Sequence, residues 1–452
     1  MTVFEEKSIG KAILRLGFPA MLAQLATLIY NTADTYFVSL TKDPNQIAAV
    51  TLSTPILLII MSIACIFGMG GSSVIARLLG EDKKADSCLC FQFATWAILA
   101  FGVLVAGLGI LCISPIAHAI GADANNYTYT RDYLLYIFLG APFIMLSSGY
   151  AHLFRSVALI REATIGVIIG NVLNIILDWV FIVPLGMGTA GAALATSLGY
   201  VVSTGYYLLC IISQKRKGNG IIAISFKGLS ESKKIAGGVV KIGIPGALIT
   251  VLLSVSNIVL NSHVAQYGSD AVACYGIAYK LSLFAVLLSV GLAQGIAPLF
   301  GYCYGAKQTK RLRKAVFIGA FFDILLGIFF MVVFALFAHI LTAFFLDDSS
   351  LITQSASFLK VIGLSAPMIG IINTVTSYFQ ALGKALNSMI ITLLRNVILF
   401  IPGVMLMDTL WNLPGVIATQ PVVECIVMII SIILYLLNCL SLGCNYGSRL
   451  ED

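Results

Sequence analysis

The stretch RLGFPA at residues 15–20 returns as KIGIPG at residues 241–246, which indicates that one structural unit occurs twice in the chain. LGAPFIM at 139–145 matches LSAPMIG at 364–370 at nearly the same offset, about 225 residues. Two further pairs of segments keep this offset: GNVLNIIL at 170–177 with RNVILFIP at 395–402, and GAALATS at 191–197 with GVIATQP at 415–421. The repeat predicts two halves of similar fold.

The composition indicates a membrane protein. Hydrophobic residues make up 59% of the 452 residues, charged residues only 10%, and the mean hydropathy is +0.98. Soluble domains carry about 25% charged residues, whereas an apolar stretch of about 20 residues can cross a hydrocarbon layer about 30 Å thick. We predict twelve such spans, at residues 12–40, 47–79, 88–112, 130–154, 162–183, 189–213, 235–266, 271–303, 313–341, 352–381, 386–407 and 413–440.

The repeat places six spans in each half, and because six is even, both halves have the same orientation in the membrane. The predicted fold class is an all-α integral membrane protein, with twelve transmembrane helices in two six-helix bundles related by a pseudo-two-fold axis along the membrane normal. The predicted domains are 1–213 and 233–452, joined by a cytoplasmic linker at 214–232. We expect the apolar IIAISF segment of this linker to lie at the membrane surface.

Lysine and arginine mark one side of the membrane. They cluster at the termini and in alternate loops, for example at Lys83 and Lys84 and at Lys215, Arg216 and Lys217. Because short cytoplasmic loops hold the positive excess, we expect both termini to be cytoplasmic, in a bacterial cytoplasmic membrane. The first span has no small-residue cleavage site and is expected to be retained as a helix. Topology accounts for the net charge of +7, so we expect no nucleic-acid partner.

Patterns typical of catalytic or metal sites do not emerge from the sequence. The ten cysteines are scattered without paired spacing, and the four histidines are equally dispersed. No serine–base pair is recognisable either. We therefore expect a protein that is not an enzyme and that carries no cofactor.

The segment NTADTYFVSL at 31–40 places an aspartate, Asp34, inside an apolar span. Thr27, Asn31 and Asp34 follow helical spacing, so they share one face of the first helix. A carboxylate inside a span costs at least about 2.5–3.5 kcal/mol on insertion scales and marks an ion or proton path by default. The alternative is that it only hydrogen-bonds a neighbouring helix, which recovers about 0.6 kcal/mol and does not cover that cost.

The fifth span shows the same pattern with Asn171, Asn174 and Asp178, and Thr196 adds a hydroxyl group in the sixth. The repeat argues against a purely architectural role for the two carboxylates, because such a pair should tend to recur. Asp34 aligns with a leucine and Asp178 with a glycine in the second half. We therefore predict a cation site in the first half.

Four features of the sequence are shared with one transporter family: the first helix with Pro19, NTADTYFVSL followed by IAAVTLSTP at 47–55, NVLNIILDWVFI at 171–182, and GMGTAGAALATSLGY at 186–200. As an ordered set they resemble the MATE (multidrug and toxic compound extrusion) family of secondary transporters. The resemblance covers residues from about 8 to about 445. It implies a V-shaped pair of six-helix bundles and cation-coupled export of amphipathic, often cationic compounds.

The resemblance also implies a set of site residues. Four residues match the amino-terminal cation site of the family, for H⁺ or Na⁺: Asp34, Asn174, Asp178 and Thr196. Tyr30 matches a position that lines the cavity, and Thr27, Asn31 and Asn171 are supporting polar residues. Some relatives also carry a glutamate in the seventh helix and a coupling aspartate in the tenth. This chain has neither at 249–262 or 364–380, so that second site is not carried over.

Other positions are assigned from the residues alone. Pro19 is a predicted hinge, because proline leaves the carbonyl one turn earlier without its partner. We predict a structural ion pair between Arg395 and Glu424. Lys280 either joins this pair or faces the cavity, and Asp323 is a weaker candidate. Six side chains are candidates for the substrate cavity, with ordinary packing as the alternative for each: Tyr30, Met145, Phe154, Met368, Tyr378 and Phe379.

The expected function is cation-coupled antiport that exports amphipathic drugs or toxic metabolites by alternating access. The expected partners are small amphipathic molecules and the lipid bilayer, and the expected state is a monomer. A flippase for lipids or lipid-linked oligosaccharides would share the architecture, but it should line its cleft with several Arg or Lys residues. A major-facilitator transporter is a further alternative, although its basic, Asp-containing loop is poorly matched by ARLLGEDKKAD at 76–86.

Overall fold

The computed structural model describes residues 3–218, 220–225, 233–346 and 348–447, which form fourteen α-helices with no strand among them. The first half contributes α1 (Ile9–Ser39), α2 (Pro44–Gly80), α3 (Lys84–Leu111), α4 (Ile113–Ala119), α5 (Tyr127–Ser156), α6 (Ile160–Ile182) and α7 (Gly188–Arg216). The second half contributes α8 (Lys233–Ala265), α9 (Ser269–Gly305), α10 (Thr309–Ala343), α11 (Ser349–Gly363), α12 (Ala366–Ala381), α13 (Ala385–Leu393) and α14 (Phe400–Gly447).

The helices reproduce the predicted crossings. Within the described residues, nine helical segments are long and apolar enough to cross a membrane when α13 through α14 counts as one, and the bent pair of α11 and α12 makes a tenth. Helix α8, 33 residues long, covers nearly all of the predicted span 235–266. A break inside α14 at Asn412, where φ is 51°, separates two crossings. The predicted spans 386–407 and 413–440 lie on the two sides of this break.

The predicted span 352–381 corresponds to two helices and not to one unbroken helix. The chain forms α11 and α12 there, bent by 41° relative to each other. Pro367 lies in the first turn of α12. Proline has no N–H to donate and its ring collides with the preceding turn, so it weakens the helix at this position. The equivalent Pro142 lies inside the continuous helix α5, so proline alone does not set the break.

The helices pack into two units. The N-unit is Leu22–Leu248, and the C-unit comprises Met1–Met21 together with Ile249–Asp452. Two helices, α1 and α8, therefore each contribute their first part to one unit and their remainder to the other. The predicted domain boundaries follow the internal repeat, whereas the two units follow the packing of the helices. The predicted boundaries therefore stay a prediction.

Contacts of the first residues explain why they belong to the C-unit. A Cβ atom added at Gly295 of α9 would lie 2.6 Å from the carbonyl oxygen of Leu16, so α1 and α9 touch backbone to backbone. Phe4 is buried and stacks on Tyr302, with ring centroids 5.3 Å apart. The Arg311 side chain donates to the Phe4 carbonyl. The start of the chain is thus fixed to the ends of α9 and α10.

The N-unit is built around α5 and α7. Four hydroxyl groups on α7 donate to backbone carbonyls of the neighbouring helices: Ser197 to Tyr136 (2.8 Å) and Thr204 to Phe143 (3.0 Å) on α5, and Ser203 to Gly166 (2.8 Å) and Tyr207 to Ala163 (2.7 Å) on α6. Such bonds tie helices together in an apolar surrounding, where the hydrophobic effect between helices is weak. They fix the relative positions of α5, α6 and α7, which hold the candidate site.

The predicted linker is partly described. Its first residues extend α7 to Arg216. In the IIAISF segment, Ile222 is completely buried, and the indole nitrogen of Trp96 on α3 donates to the Ser225 carbonyl over 3.1 Å. The described part of this segment therefore packs against the N-unit, whereas residues 219 and 226–232 lie outside the described residues.

Candidate cation site in the N-unit

Two glycines bring α6 and α7 into close contact. A Cβ atom added at Gly199 would lie 2.8 Å from the carbonyl oxygen of Gly170, and one added at Gly170 would lie 3.1 Å from that of Gly199. Either side chain would press against backbone and force the helices apart. The close crossing allows Asn174 on α6 and Thr196 on α7, each near one of these glycines, to reach each other.

Asn174, Asp178 and Thr196 form one hydrogen-bonded group. The Asn174 amide satisfies both of its polar atoms when its nitrogen donates to Asp178 Oδ2 over 3.2 Å and its oxygen accepts from the Thr196 hydroxyl over 3.2 Å. Asn174 and Asp178 are one helical turn apart, which places them on one face of α6. Asp178 is 0% exposed.

Helix α1 joins this group through one hydrogen bond and also carries Asp34. The Asn171 amide nitrogen on α6 donates to the Thr27 hydroxyl over 3.2 Å. Asp34 lies farther along α1, and its carboxylate interacts electrostatically with that of Asp178. Asn31 was predicted to share this face, but its side chain is exposed. The structure thus brings together the predicted site residues of α1, α6 and α7 except Asn31.

Each carboxylate leaves one oxygen without a partner. Oδ1 of Asp34 and Oδ1 of Asp178 are buried and accept no hydrogen bond from any described residue. Leaving a buried polar atom unpaired costs about 1–3 kcal/mol, more when the group is charged. Two neighbouring carboxylates in a low dielectric also resist joint ionisation. A bound proton or Na⁺ would relieve both costs, so the donor set fits a small hard cation.

A small cavity adjoins this group, with room for about one water molecule. It is lined by Tyr30, Gly170, Asn171, Asn174, Thr196, Gly199 and Tyr200. The hydroxyl groups of Tyr30 and Tyr200 lie close to each other. Sequence reasoning missed Tyr200, although its position one turn after Thr196 on α7 was a usable signal. The cavity places Tyr30 next to the candidate cation site.

Most other candidates for the substrate cavity are packed inside the units. Met145 and Phe154 are 0% exposed in the core of the N-unit, where the Phe154 ring lies 5.1 Å from that of Tyr207. Tyr378 and Phe379 are equally buried in the C-unit, and Met368 is half-buried. Their surroundings are those of ordinary core side chains.

The charged residues of the second half differ from one another in burial and in partners. Arg395 Nη2 lies 2.7 Å from Glu424 Oε1, the geometry of an ion pair. Lys280 is exposed, so its side chain is not buried beside this pair. Asp323 is completely buried, which the sequence had not indicated strongly. Asp408 accepts a hydrogen bond from the Tyr267 hydroxyl.

The apolar helices and the buried acidic group inside them define a multi-pass membrane transporter. The MatE family model matches residues 19–180 and 245–405, two segments with the offset of the internal repeat. The chain belongs to the MATE family. It is 30% identical over 436 residues to the multidrug export protein MepA of Staphylococcus saprophyticus, which covers 96% of this chain and 95% of the relative. MepA of Staphylococcus aureus is 29% identical over 440 residues, with the same coverage.

Solved structures show the same fold. A multidrug resistance MATE family transporter of the MOP superfamily, in an outward-facing conformation, has a TM-score of 0.91 at 23% identity, with 98% of both chains covered. A MOP superfamily transporter from Pyrococcus furiosus has a TM-score of 0.89 at 23% identity and the same coverage. At this identity the likeness concerns the fold alone. The comparisons confirm the family and the all-α membrane architecture of twelve helices in two bundles predicted from the sequence.

Proposed function

We propose that this protein exports amphipathic, often cationic compounds from the bacterial cytoplasm in exchange for H⁺ or Na⁺. The relatives named as multidrug export proteins support drug efflux. The single observation that carries the coupling is the group of Asp34, Asn174, Asp178 and Thr196, in which Asp34 and Asp178 each retain a buried oxygen atom without a partner among the described residues. A cation that binds these oxygens is transported when the site opens to one side and then to the other.

The proposed coupling acts through the first helix. Pro19 leaves the Arg15 carbonyl without its helical partner, so α1 bends at low cost there. Helix α1 also changes packing unit after Met21, close to this proline. Cation binding at Asp34 changes the charge of the part of α1 in the N-unit, and bending reshapes the substrate site. An ion entering down about 150 mV supplies about 3.5 kcal/mol, enough for a substrate gradient of about 300-fold.

The proposed setting is the bacterial cytoplasmic membrane, with both termini on the cytoplasmic side and a monomer as the working unit. The positive charges in alternate loops support the orientation. The flippase alternative gains no support from the comparisons with known proteins.

The test uses purified protein in liposomes and the fluorescent cation ethidium as substrate, with efflux driven separately by a pH gradient or a Na⁺ gradient. Asp34→Asn and Asp178→Asn remove one carboxylate each, and gradient-driven efflux is expected to be lost in both. The gradient that drives the parent protein identifies the ion.

Asp86→Asn is the matched control, because it removes a carboxylate in the first turn of α3, outside the site. This variant should transport like the parent. Unchanged gradient-driven efflux in both site variants would contradict the proposed coupling. Movement of a lipid-linked sugar without any gradient would favour a flippase instead.

A further inference from the structure

A second polar group lies in the C-unit, around Asp323. This residue is 0% exposed and lies near the middle of the 35-residue helix α10. The Thr374 hydroxyl on α12 donates to Asp323 Oδ2 over 2.9 Å, and the Ser289 hydroxyl on α9 lies beside the same carboxyl group. Asp323 Oδ1 is buried and has no partner among the described residues. One carboxylate oxygen is therefore available inside the unit.

A chain of hydrogen bonds connects Asp323 with the ion pair of the C-unit. The Asn373 amide nitrogen donates to Ser289 Oγ over 3.0 Å, and Arg395 Nη1 donates to the Asn373 oxygen over 3.2 Å. Arg395 Nε also donates to Glu424 Oε1 over 2.8 Å. The group thus runs from Asp323 through Ser289 and Asn373 to Arg395 and Glu424, across five helical segments.

The directions of these bonds follow from the donor inventory. Arginine can only donate, so Arg395 fixes the Asn373 oxygen as an acceptor and turns the amide nitrogen toward Ser289. The Ser289 oxygen accepts that bond, which leaves its own proton for Asp323. The donors from Arg395 Nη1 through Asn373 to Ser289 therefore point toward Asp323, whereas Arg395 Nε donates to Glu424.

Backbone packing holds Asp323 in place. A Cβ atom added at Gly370 of α12 would lie 2.8 Å from the Asp323 carbonyl oxygen and 3.2 Å from its Cβ. One added at Gly327 would lie 2.5 Å from Pro367 Cα. Helices α10 and α12 thus touch through their backbones at Asp323 and again one turn later, at Gly327. This close packing fixes the position of Asp323 relative to Thr374 on α12.

Arg395 lies in a distorted turn. Residues Leu394–Ile398 form a π-helical turn between α13 and α14, in which the Leu399 N–H donates to the Leu394 carbonyl over 3.1 Å. Ser256 of α8 donates to the carbonyl of Asn396 in this turn. Single π turns inside helices occur frequently at functional sites. The distortion sets the position from which Arg395 reaches both Asn373 and Glu424.

The charges of this group balance only when Asp323 carries a proton. Arg395 compensates Glu424, so an ionised Asp323 leaves one net negative charge in a buried network. The groups that face Asp323 from α9 and α12 are the hydroxyls of Ser289 and Thr374. Helix α11, which also packs against α10, carries one charged residue, Lys360, and its side chain is exposed. No described cation lies directly beside Asp323.

We propose that Asp323 is a second cation-binding group of the transport cycle, which binds and releases one proton at its unpaired oxygen in each turnover. Uptake forms an O–H bond at Oδ1 and neutralises the network. Release returns the proton to water on the other side of the membrane. The inference rests on the proposed antiport. It adds one proton per transport cycle, bound in the C-unit, and this proton does not bind to the carboxylates of the N-unit.

The test measures the steady-state ethidium gradient across the liposome membrane. The membrane potential is clamped at zero, and a pH difference of about one unit between the inside and the outside drives transport. Each proton exchanged per substrate multiplies the gradient about tenfold. The parent protein is expected to exceed Asp323→Asn by about tenfold. Asp408→Asn is the control, because it removes a carboxylate of the C-unit outside the network and should match the parent. Equal gradients in Asp323→Asn and the parent overturn the proposal.

A second measurement needs neither transport nor a stable Asp323 variant. Infrared difference spectra of the purified protein, acidic minus alkaline, are expected to contain the carbonyl band of a buried carboxylic acid. Ser289→Ala should shift this band, because it removes the hydroxyl group beside the acid. A spectrum that Ser289→Ala leaves unchanged overturns the proposal. Asp34→Asn and Asp178→Asn should retain the shifted band, so failure of the proposed coupling in the N-unit is distinguishable from failure at Asp323.

Discussion

Thr196 shows how a single hydroxyl group contributes to the candidate site. Its side chain donates to the Asn174 amide, which in turn donates to Asp178. Without the hydroxyl group, the Asn174 oxygen keeps only the Thr196 backbone N–H, at 3.1 Å, and the amide is held less firmly toward the carboxylate. A buried hydrogen bond is worth about 0.5–1.5 kcal/mol, so the expected effect is on cation affinity and not on folding.

Thr196→Val keeps the size and branching of the side chain and removes only the hydroxyl group. We expect the cation concentration for half-maximal efflux to rise by up to about tenfold, because about 1.4 kcal/mol corresponds to that factor. Efflux from liposomes at a series of H⁺ or Na⁺ concentrations measures this shift.

Thr204→Val is the matched control for this prediction. Thr204 is a buried threonine on the same helix, two turns away, and it donates to the Phe143 carbonyl of α5 over 3.0 Å. Its loss removes a hydrogen bond of similar kind outside the site, so cation dependence should stay that of the parent. Equal shifts in both variants would mean that Thr196 acts only as a packing residue.

At the scale of elements, the repeat has a structural counterpart in α1 and α8. Pro19 and Pro245 occupy equivalent positions of the repeat, and each precedes by less than one turn the point where its helix changes packing unit, after Met21 and after Leu248. Proline weakens a helix at the preceding turn. Helices α1 and α8, which each belong partly to the N-unit and partly to the C-unit, therefore both contain a proline that weakens the helix near the change of unit.

The crossing of α6 and α7 is a second element on which the site depends. We expect Gly199→Ala to lower the melting temperature and to abolish cation-driven efflux. Its Cβ atom would lie 2.8 Å from the Gly170 carbonyl oxygen, so the helices must separate. Overpacking of this kind costs about 1–3 kcal/mol. Thermal unfolding of the detergent-purified protein and efflux from liposomes measure the two effects.

Gly205→Ala is the control on the same helix, because a Cβ atom there meets nothing within 4 Å. This variant should be as stable and active as the parent. A Gly199→Ala protein with normal efflux would show that the close crossing is not needed to place Asn174 beside Thr196.

At the scale of the whole molecule, the orientation in the membrane is a prediction that two matched positions can test. Lys42 and Lys307 are exposed turn residues with similar left-handed backbone, φ 54° and 56°. The charge pattern puts Lys42 on the outer side and Lys307 on the cytoplasmic side. In intact cells, a membrane-impermeant maleimide should label Lys42→Cys and leave Lys307→Cys unlabelled.

Inverted vesicles provide the complementary measurement, in which Lys307→Cys should become labelled and Lys42→Cys should be protected. Cys112 is exposed, so both variants belong in a Cys112→Ser background, with that background as the blank. Labelling of both positions from the same side would contradict the predicted topology.

The sequence by itself determined the membrane class, the repeat and the family. It also predicted the pairing of acidic residues with amides on the first and fifth spans. These features depend on local composition and helical spacing, which act along one segment at a time. The break between α11 and α12 was not predicted, because the repeat-equivalent Pro142 lies inside a continuous helix, so the local pattern at Pro367 does not indicate a break.

Only the tertiary structure decided which side chains meet. It joined Asn174 to Thr196 through two glycines far apart in sequence, left Asn31 exposed, and assembled Asp323, Asn373 and Arg395 from separate helices. The physical reason is that hydrogen bonds and backbone contacts between helices depend on where the helices cross. Helical spacing in the sequence defines one face of a helix, but it does not indicate which neighbouring helix packs against that face.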